Sequence, residues 1–149
     1  MCNCNNNKIQ PAIITPVLAA GSVASPYDWR INIVQPLCRK TCAANTPVFN
    51  PQFTLVGVSQ TGTNKFNATI RVEGCISYVA RGCGCNGCEN QPLSQEFTIP
   101  FDFTGTNPVV SIAQDATANA MSVSGCQTCS RLFVSETPLT LTVAAAAAA

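Results

Sequence analysis

Residues 65–80 alternate strictly in polarity. Phe66, Ala68, Ile70, Val72, Gly74, Ile76 and Tyr78 fall on one side, and Asn67, Thr69, Arg71, Glu73, Cys75 and Ser77 on the other. A period of two held over this length puts every apolar group on one face of an extended chain, whereas a helix would scatter the same residues around its axis. The stretch therefore predicts a half-buried antiparallel strand, or two consecutive ones. The pattern returns at 96–103, where Phe97, Ile99, Phe101 and Phe103 share a face. It returns again where Leu139, Leu141 and Val143 alternate with Thr140 and Thr142. Further strands are expected at 29–35, 52–59, 109–113, 119–124 and 131–136. Turn-forming residues separate them at 60–64, 83–92, 104–108 and 125–130. No stretch reads as a helix of about ten residues or more. The expected fold is all-β: a single antiparallel two-sheet sandwich over residues 27–143, with Greek-key and jelly-roll connections both open.

Residues 1–26 read as an extended N-terminal arm. Ile9, Ile13, Ile14 and Val17 give it strand character, but Pro11 and Pro16 interrupt it. Proline has no N–H to give to a ladder, so this segment can pair only as an edge strand. It either docks on its own sheet or adds a strand to the open edge of a neighbouring copy. The last six residues, 144–149, are all alanine, too few to form a stable helix alone.

Ten cysteines in 149 residues is a high count. They fall in four groups: Cys2 and Cys4; Cys38 and Cys42; Cys75, Cys83, Cys85 and Cys88; Cys126 and Cys129. The opening residues carry no apolar signal segment and no run is long enough to span a bilayer, so synthesis in a cytoplasm is expected. Cytoplasmic thiols stay reduced. Either the cysteines hold metal, or the protein reaches an oxidising exterior when its producing cell lyses, as a sporulating mother cell does. The metal reading rests on Cys83, Cys85 and Cys88 with Cys126 and Cys129, five thiolates for a tetrahedral zinc. Residues 89–125 make a spacer much longer than the roughly 12 to 20 residues of zinc knuckles. The expectation adopted is disulfides, with no metal and no cofactor. Cys2 and Cys4, on the arm, are candidates for bonds between subunits. The other eight are candidates for bonds within or between subunits, with connectivity open.

Catalysis finds little support. The chain has no histidine, so no Ser-His or Cys-His dyad can form. The seven carboxylates are scattered, and no phosphate loop or calcium loop is present. The three candidate aromatics for a sugar platform, Tyr27, Trp29 and Tyr78, are few. Charged residues are 10% of the chain against about 25% in an average protein, and the net charge is +1. No basic face exists to follow a nucleic-acid backbone. A surface this sparsely charged is poorly defended against self-association.

The cadence of the C-terminal half is itself informative. "FNATIRVEGCISYVA" (66–80), "SQEFTIPFDF" (94–103), "NPVVSIA" (107–113) and "RLFVSETPLTLTV" (131–143) resemble the small β-domain of SipL-type spore-coat proteins of clostridia. Such domains show a V-x-G-x-x-x-Y strand, an acidic residue leading to I-P-F, and a closing alternating strand. The likeness covers about half the chain. It departs from the family in its ten cysteines and single copy. The cysteine-bearing arm is similar in organisation to the N-terminal connectors of endospore appendage subunits of bacilli. Together these imply a structural, self-assembling subunit of a fibre or layer on the spore surface. Its expected partners are copies of itself and other spore-surface proteins, with neither nucleic acid nor membrane. Two other readings stay open: a zinc-binding β-domain that mediates interactions, and a secreted adhesin or carbohydrate-binding domain.

Overall fold

The computed structural model describes residues 11–37, 48–79, 88–114, 120–124 and 132–145. Nine strands follow one another: β1 (Ile13–Leu18), β2 (Tyr27–Pro36), β3 (Val48–Phe49), β4 (Gln52–Gly62), β5 (Lys65–Val79), β6 (Cys88–Asp102), β7 (Pro108–Gln114), β8 (Ala120–Ser124) and β9 (Leu132–Ala145). There is no helix among the described residues. All strand pairs are antiparallel, and they form two sheets.

The first sheet has the order β1-β2-β9-β7, with β8 also on β9. β7 lies against residues 139–145 of β9 and β8 against residues 132–136, so the two run in line along one edge. The second sheet places β5 at its centre, with β6 on one side. On the other side β3 and β4 run in line.

The alternation expected from the sequence is the one that builds the core. From β2 come Trp29, Ile31 and Ile33; from β5, Phe66, Ala68, Ile70, Val72, Ile76 and Tyr78; from β6, Leu93, Phe97, Ile99 and Phe101; from β9, Phe133, Leu139 and Leu141. Both sheets feed this one buried cluster, and most members are fully covered. Each large aliphatic side chain so buried contributes about 1.5 to 3 kcal/mol. The outward positions of β5 and its neighbours carry the charges. Arg71 meets Glu96 at 2.7 Å and Glu73 at 3.7 Å, and Lys65 meets Asp102 at 3.5 Å. These exposed pairs add little stability.

Three expectations change. The turn expected over 83–92 is cut short, because β6 begins at Cys88. Asn90, Gln91 and Pro92 pair with Ser77, Ile76 and Cys75. Pro92 is tolerated because β6 is an edge strand, where a missing donor can face away from the ladder. The strands expected at 131–136 and around 139–143 are one strand, β9, which passes through Pro138. Residues 137 and 138 sit opposite the break between β7 and β8, where β9 has no partner on that edge among the described residues. There the missing N–H costs nothing to the ladder. Finally, strand pairing continues into Ala144 and Ala145, which face Val109 and Pro108.

Candidate functional site at the cysteine-bearing end

Strand register decides which chain ends lie together. In the first sheet, Ile13, Val34 and Val134 form one row, and Pro36 faces Leu132, which faces Ser124. The start of β1, the end of β2, the end of β8 and the start of β9 therefore lie at one end. In the second sheet, the start of β3, the end of β5 and the start of β6 lie together, since Val48 faces Ser77 and Val79 faces Cys88.

Contacts between the sheets show that these are the same end of the molecule. Gln91 of β6 and Gln35 of β2 are buried, and both donate an amide Nε2–H to the Pro36 carbonyl, at 3.0 and 2.9 Å. The rings of Phe49 in β3 and Phe133 in β9 meet edge to face at 5.4 Å. The opposite end is closed by other contacts: Phe103 N–H donates to the Asn64 carbonyl at 3.0 Å, and Val143 N–H donates to Ser25 Oγ at 2.8 Å.

The described residues that flank 38–47, 80–87 and 125–131 lie at the first end, and the cysteines other than Cys75 and Cys88 fall in those segments or before Pro11. Cys38 follows Leu37 directly, and Cys38 and Cys42 belong to the connection that re-enters at Val48. Cys83 and Cys85 belong to the connection from Val79 to Cys88, which itself opens β6. Cys126 and Cys129 belong to the connection from Ser124 to Leu132. Cys2 and Cys4 belong to the segment that enters at Pro11. Cys75 lies on β5, four residues before its end. The opposite end is made by residues 19–26, 63–64 and 103–107 and the exit of β9, and none of these carries sulfur.

Cys75 is exposed and its thiol is free. Cys88 is placed as the first residue of β6, facing Val79. The proposed bonds of Cys2, Cys4, Cys38, Cys42, Cys83, Cys85, Cys126 and Cys129 lie outside the described residues. No group of three or more metal-ligating side chains occurs among the described residues.

Of the arm residues, Ile9 lies outside the described residues, and Ile13, Ile14 and Val17 are in β1. β1 docks on β2 of its own chain, from Ile13 opposite Val34 to Leu18 opposite Trp29. Its hold is slight: Ile13 is 66% exposed and Val17 45%. The arm is anchored by a glutamine of the other sheet. Gln95 of β6 accepts from Ala12 N–H at 3.0 Å and donates to the Ala12 carbonyl at 2.6 Å. Its amide thus takes the place of a strand partner across the seam between β1 and β6. Gln114 of β7 does the same at the other seam, accepting from Phe53 N–H at 2.9 Å and donating to the Pro51 carbonyl at 2.7 Å. Sequence reasoning passed over these glutamines. Gln35, Gln91, Gln95 and Gln114 each occupy an inward position of an alternating strand, and an amide on an apolar face was the available signal.

The aromatic candidates do not form a platform. Trp29 is 8% exposed and Tyr78 3%, both in the core. A concavity of about 470 Å³ is lined in part by Asp28, Arg30, Glu136 and Thr140. Arg30 is paired with Glu136 at 3.0 Å, and the Asp28 carboxylate accepts from the Thr140 hydroxyl at 3.4 Å. Glu96 holds the Arg71 guanidinium above its ordinary pKa, first through their hydrogen bond and then through its charge, with Glu73 adding to the effect. These carboxylates serve ion pairs on the outer sheet face. Comparison with protein-family models, with curated proteins and with solved structures returned no match.

Proposed function

We propose that this chain is a non-enzymatic structural subunit of an extracellular fibre or layer on the bacterial spore surface, joined to copies of itself by disulfides. The observation that carries the reading is a β frame whose buried cluster contains no described sulfur, while Cys75 is exposed on β5 and Cys88 stands at the start of β6. The fold stands on its apolar cluster, which leaves the sulfur chemistry free for stapling and joining. Two sheets sharing that cluster support the sandwich form of the fold. The low charge supports self-association, and the resemblance of the C-terminal half to spore-coat domains directs the location. The arm supports strand exchange: β1 is a marginal edge strand held in cis, and the same register is open to the β1 of a neighbouring copy.

Native material run on a denaturing gel without reductant tests this reading. A ladder of multimers that collapses to monomer on reduction is expected, with fibres or sheets visible by electron microscopy. A clean monomer band without reductant refutes it.

A second reading draws on the same geometry. The connections bearing Cys83, Cys85, Cys126 and Cys129 open at one end beside Cys88, and four thiolates suit tetrahedral zinc. About one zinc per chain in protein purified without chelator would favour an interaction module instead.

A further inference from the structure

We propose that the cleft between Trp29 and Phe101 binds a small uncharged molecule with an apolar body and one acceptor oxygen, which takes the hydrogen bond that the Trp29 indole N–H lacks. The inference goes beyond the structural role proposed above and does not depend on it.

The cleft lies where the edges of the two sheets part. β1 and β6 are edge strands of different sheets, and Gln95 joins them near Ala12. Further along the seam, beside Leu18, it opens into a concavity of about 430 Å³. Leu18, Val23, Tyr27 and Trp29 line it from β1, β2 and the link between them, and Pro100 and Phe101 line it from β6. Strand alternation sends the Trp29 side chain away from Asp28 and Arg30 and to the side of Tyr27, and pairing sets Leu18 opposite it. Phe101 is held by its stack on Phe66, with ring centroids 5.6 Å apart. The link that carries Val23 is fixed by its own bonds. Asp28 N–H donates to Ser22 Oγ at 2.9 Å, and Ser22 N–H donates to the Ala19 carbonyl at 3.1 Å. The walls are therefore set before a ligand arrives, and the volume falls in the range of about 300 to 1,000 Å³ usual for small-molecule sites.

What singles this concavity out is an orphan donor. Trp29 is buried, and its Nε1–H has no hydrogen-bond partner among the described residues. A buried donor left unpaired is costly, and an acceptor that reaches it recovers that cost. The side chains of Leu18, Val23 and Phe101 offer no acceptor, so the oxygen must come with the ligand. Charge sets the rest of the chemistry. Asp102 is the only charged side chain on the wall, and Lys65 pairs with it at 3.5 Å. An anion would meet that carboxylate. A cation would compete with Lys65 and bring no acceptor to the indole. An uncharged carbonyl or hydroxyl compound meets both conditions, with its hydrocarbon part against Leu18, Val23 and Phe101.

The chain has one tryptophan, so a single indole N–H signal reports on the site directly. The full chain, labelled with nitrogen-15, is titrated with cyclohexanone and followed by proton–nitrogen correlation spectra. The expected result is a saturable downfield shift of the indole proton, half complete at about 5 mM or below, with amide shifts centred on Leu18, Val23 and Asp102. Cyclohexene, a ring of the same size without the oxygen, should bind at least about fivefold more weakly. Cyclohexanecarboxylate, which has acceptor oxygens but carries a charge, should also bind more weakly than cyclohexanone. Val23 is 87% exposed, so the fold tolerates a charge there. Val23→Asp should weaken cyclohexanone binding about fivefold or more by removing apolar wall, with distant amide signals unmoved. No saturable shift of the indole signal, equal binding of cyclohexene, tighter binding of cyclohexanecarboxylate, or unchanged affinity in Val23→Asp would each overturn the proposal.

Discussion

Gly74 is the position in β5 where a side chain cannot be added without displacing the core. A Cβ there would lie 2.6 Å from Phe49 Cε1 and 3.2 Å from the Asn50 carbonyl oxygen. Gly74→Ala is expected to cost about 1 to 3 kcal/mol by overpacking, measurable as a lower urea midpoint with an unchanged slope. The reason for this glycine was hidden in the sequence, because its neighbour is 25 residues earlier in the chain and meets it only after β3 pairs with β5. Ser135 is the converse case. It sits on the inner face of β9, 1% exposed, and its hydroxyl has no hydrogen-bond partner among the described residues. Ser135→Ala removes that stranded polar group and should stabilise the domain by about 1 kcal/mol; a fall in the unfolding midpoint would show that the hydroxyl is satisfied. With no histidine in the chain, no ordinary side-chain titration falls between about pH 5 and 8. Arg71 has its pKa raised in the folded state, so its contribution is whole below the unfolded value and is lost only as pH climbs through the raised one. The thermal midpoint of the oxidised protein should therefore stay level across that range, which differential scanning calorimetry at several pH values checks.

Strands were the most legible elements and their ends the least. The long alternations at 65–80 and 96–103 appear as β5 and the latter half of β6 because period two leaves an extended chain no other way to bury one face. The extension of β6 back to Cys88 was masked by turn-forming residues. Asn90 and Pro92 signal a turn when read locally, but the matching length of β5 offers a ladder that outweighs them. Pro138 similarly argued for two strands, and only the break between β7 and β8 shows why one strand passes through it. The arm is held along β1 by its pairing with β2 and, at Ala12, by a single side chain of the other sheet. Gln95→Ala removes both bonds to the Ala12 backbone and should speed amide hydrogen exchange through residues 12–18 while leaving β5 and β6 protected. The expected loss is about 1 to 3 kcal/mol of local stability. Equal acceleration throughout the chain would mean that β1 unfolds only with the whole body.

For the molecule entire, the frame and the sulfur are separable. The described core is built of aliphatic and aromatic groups from both sheets, so full reduction should lower the unfolding midpoint without erasing the far-ultraviolet β signal. The loss should be about 2 to 4 kcal/mol for each intramolecular bridge opened. Collapse of the β signal on reduction would instead make the sulfurs essential to the fold. Composition and alternation by themselves determined that the chain is all-β, that it lacks the residues for histidine-based catalysis, and which face of each main strand is inward, since these depend only on residue type and a period of two. Which chain ends share a pole was decided by the tertiary structure. Residues as far apart in sequence as Ile13 and Leu132 lie at the same end because antiparallel pairing reverses the chain at every strand, so position along the sequence carries no record of position along the body.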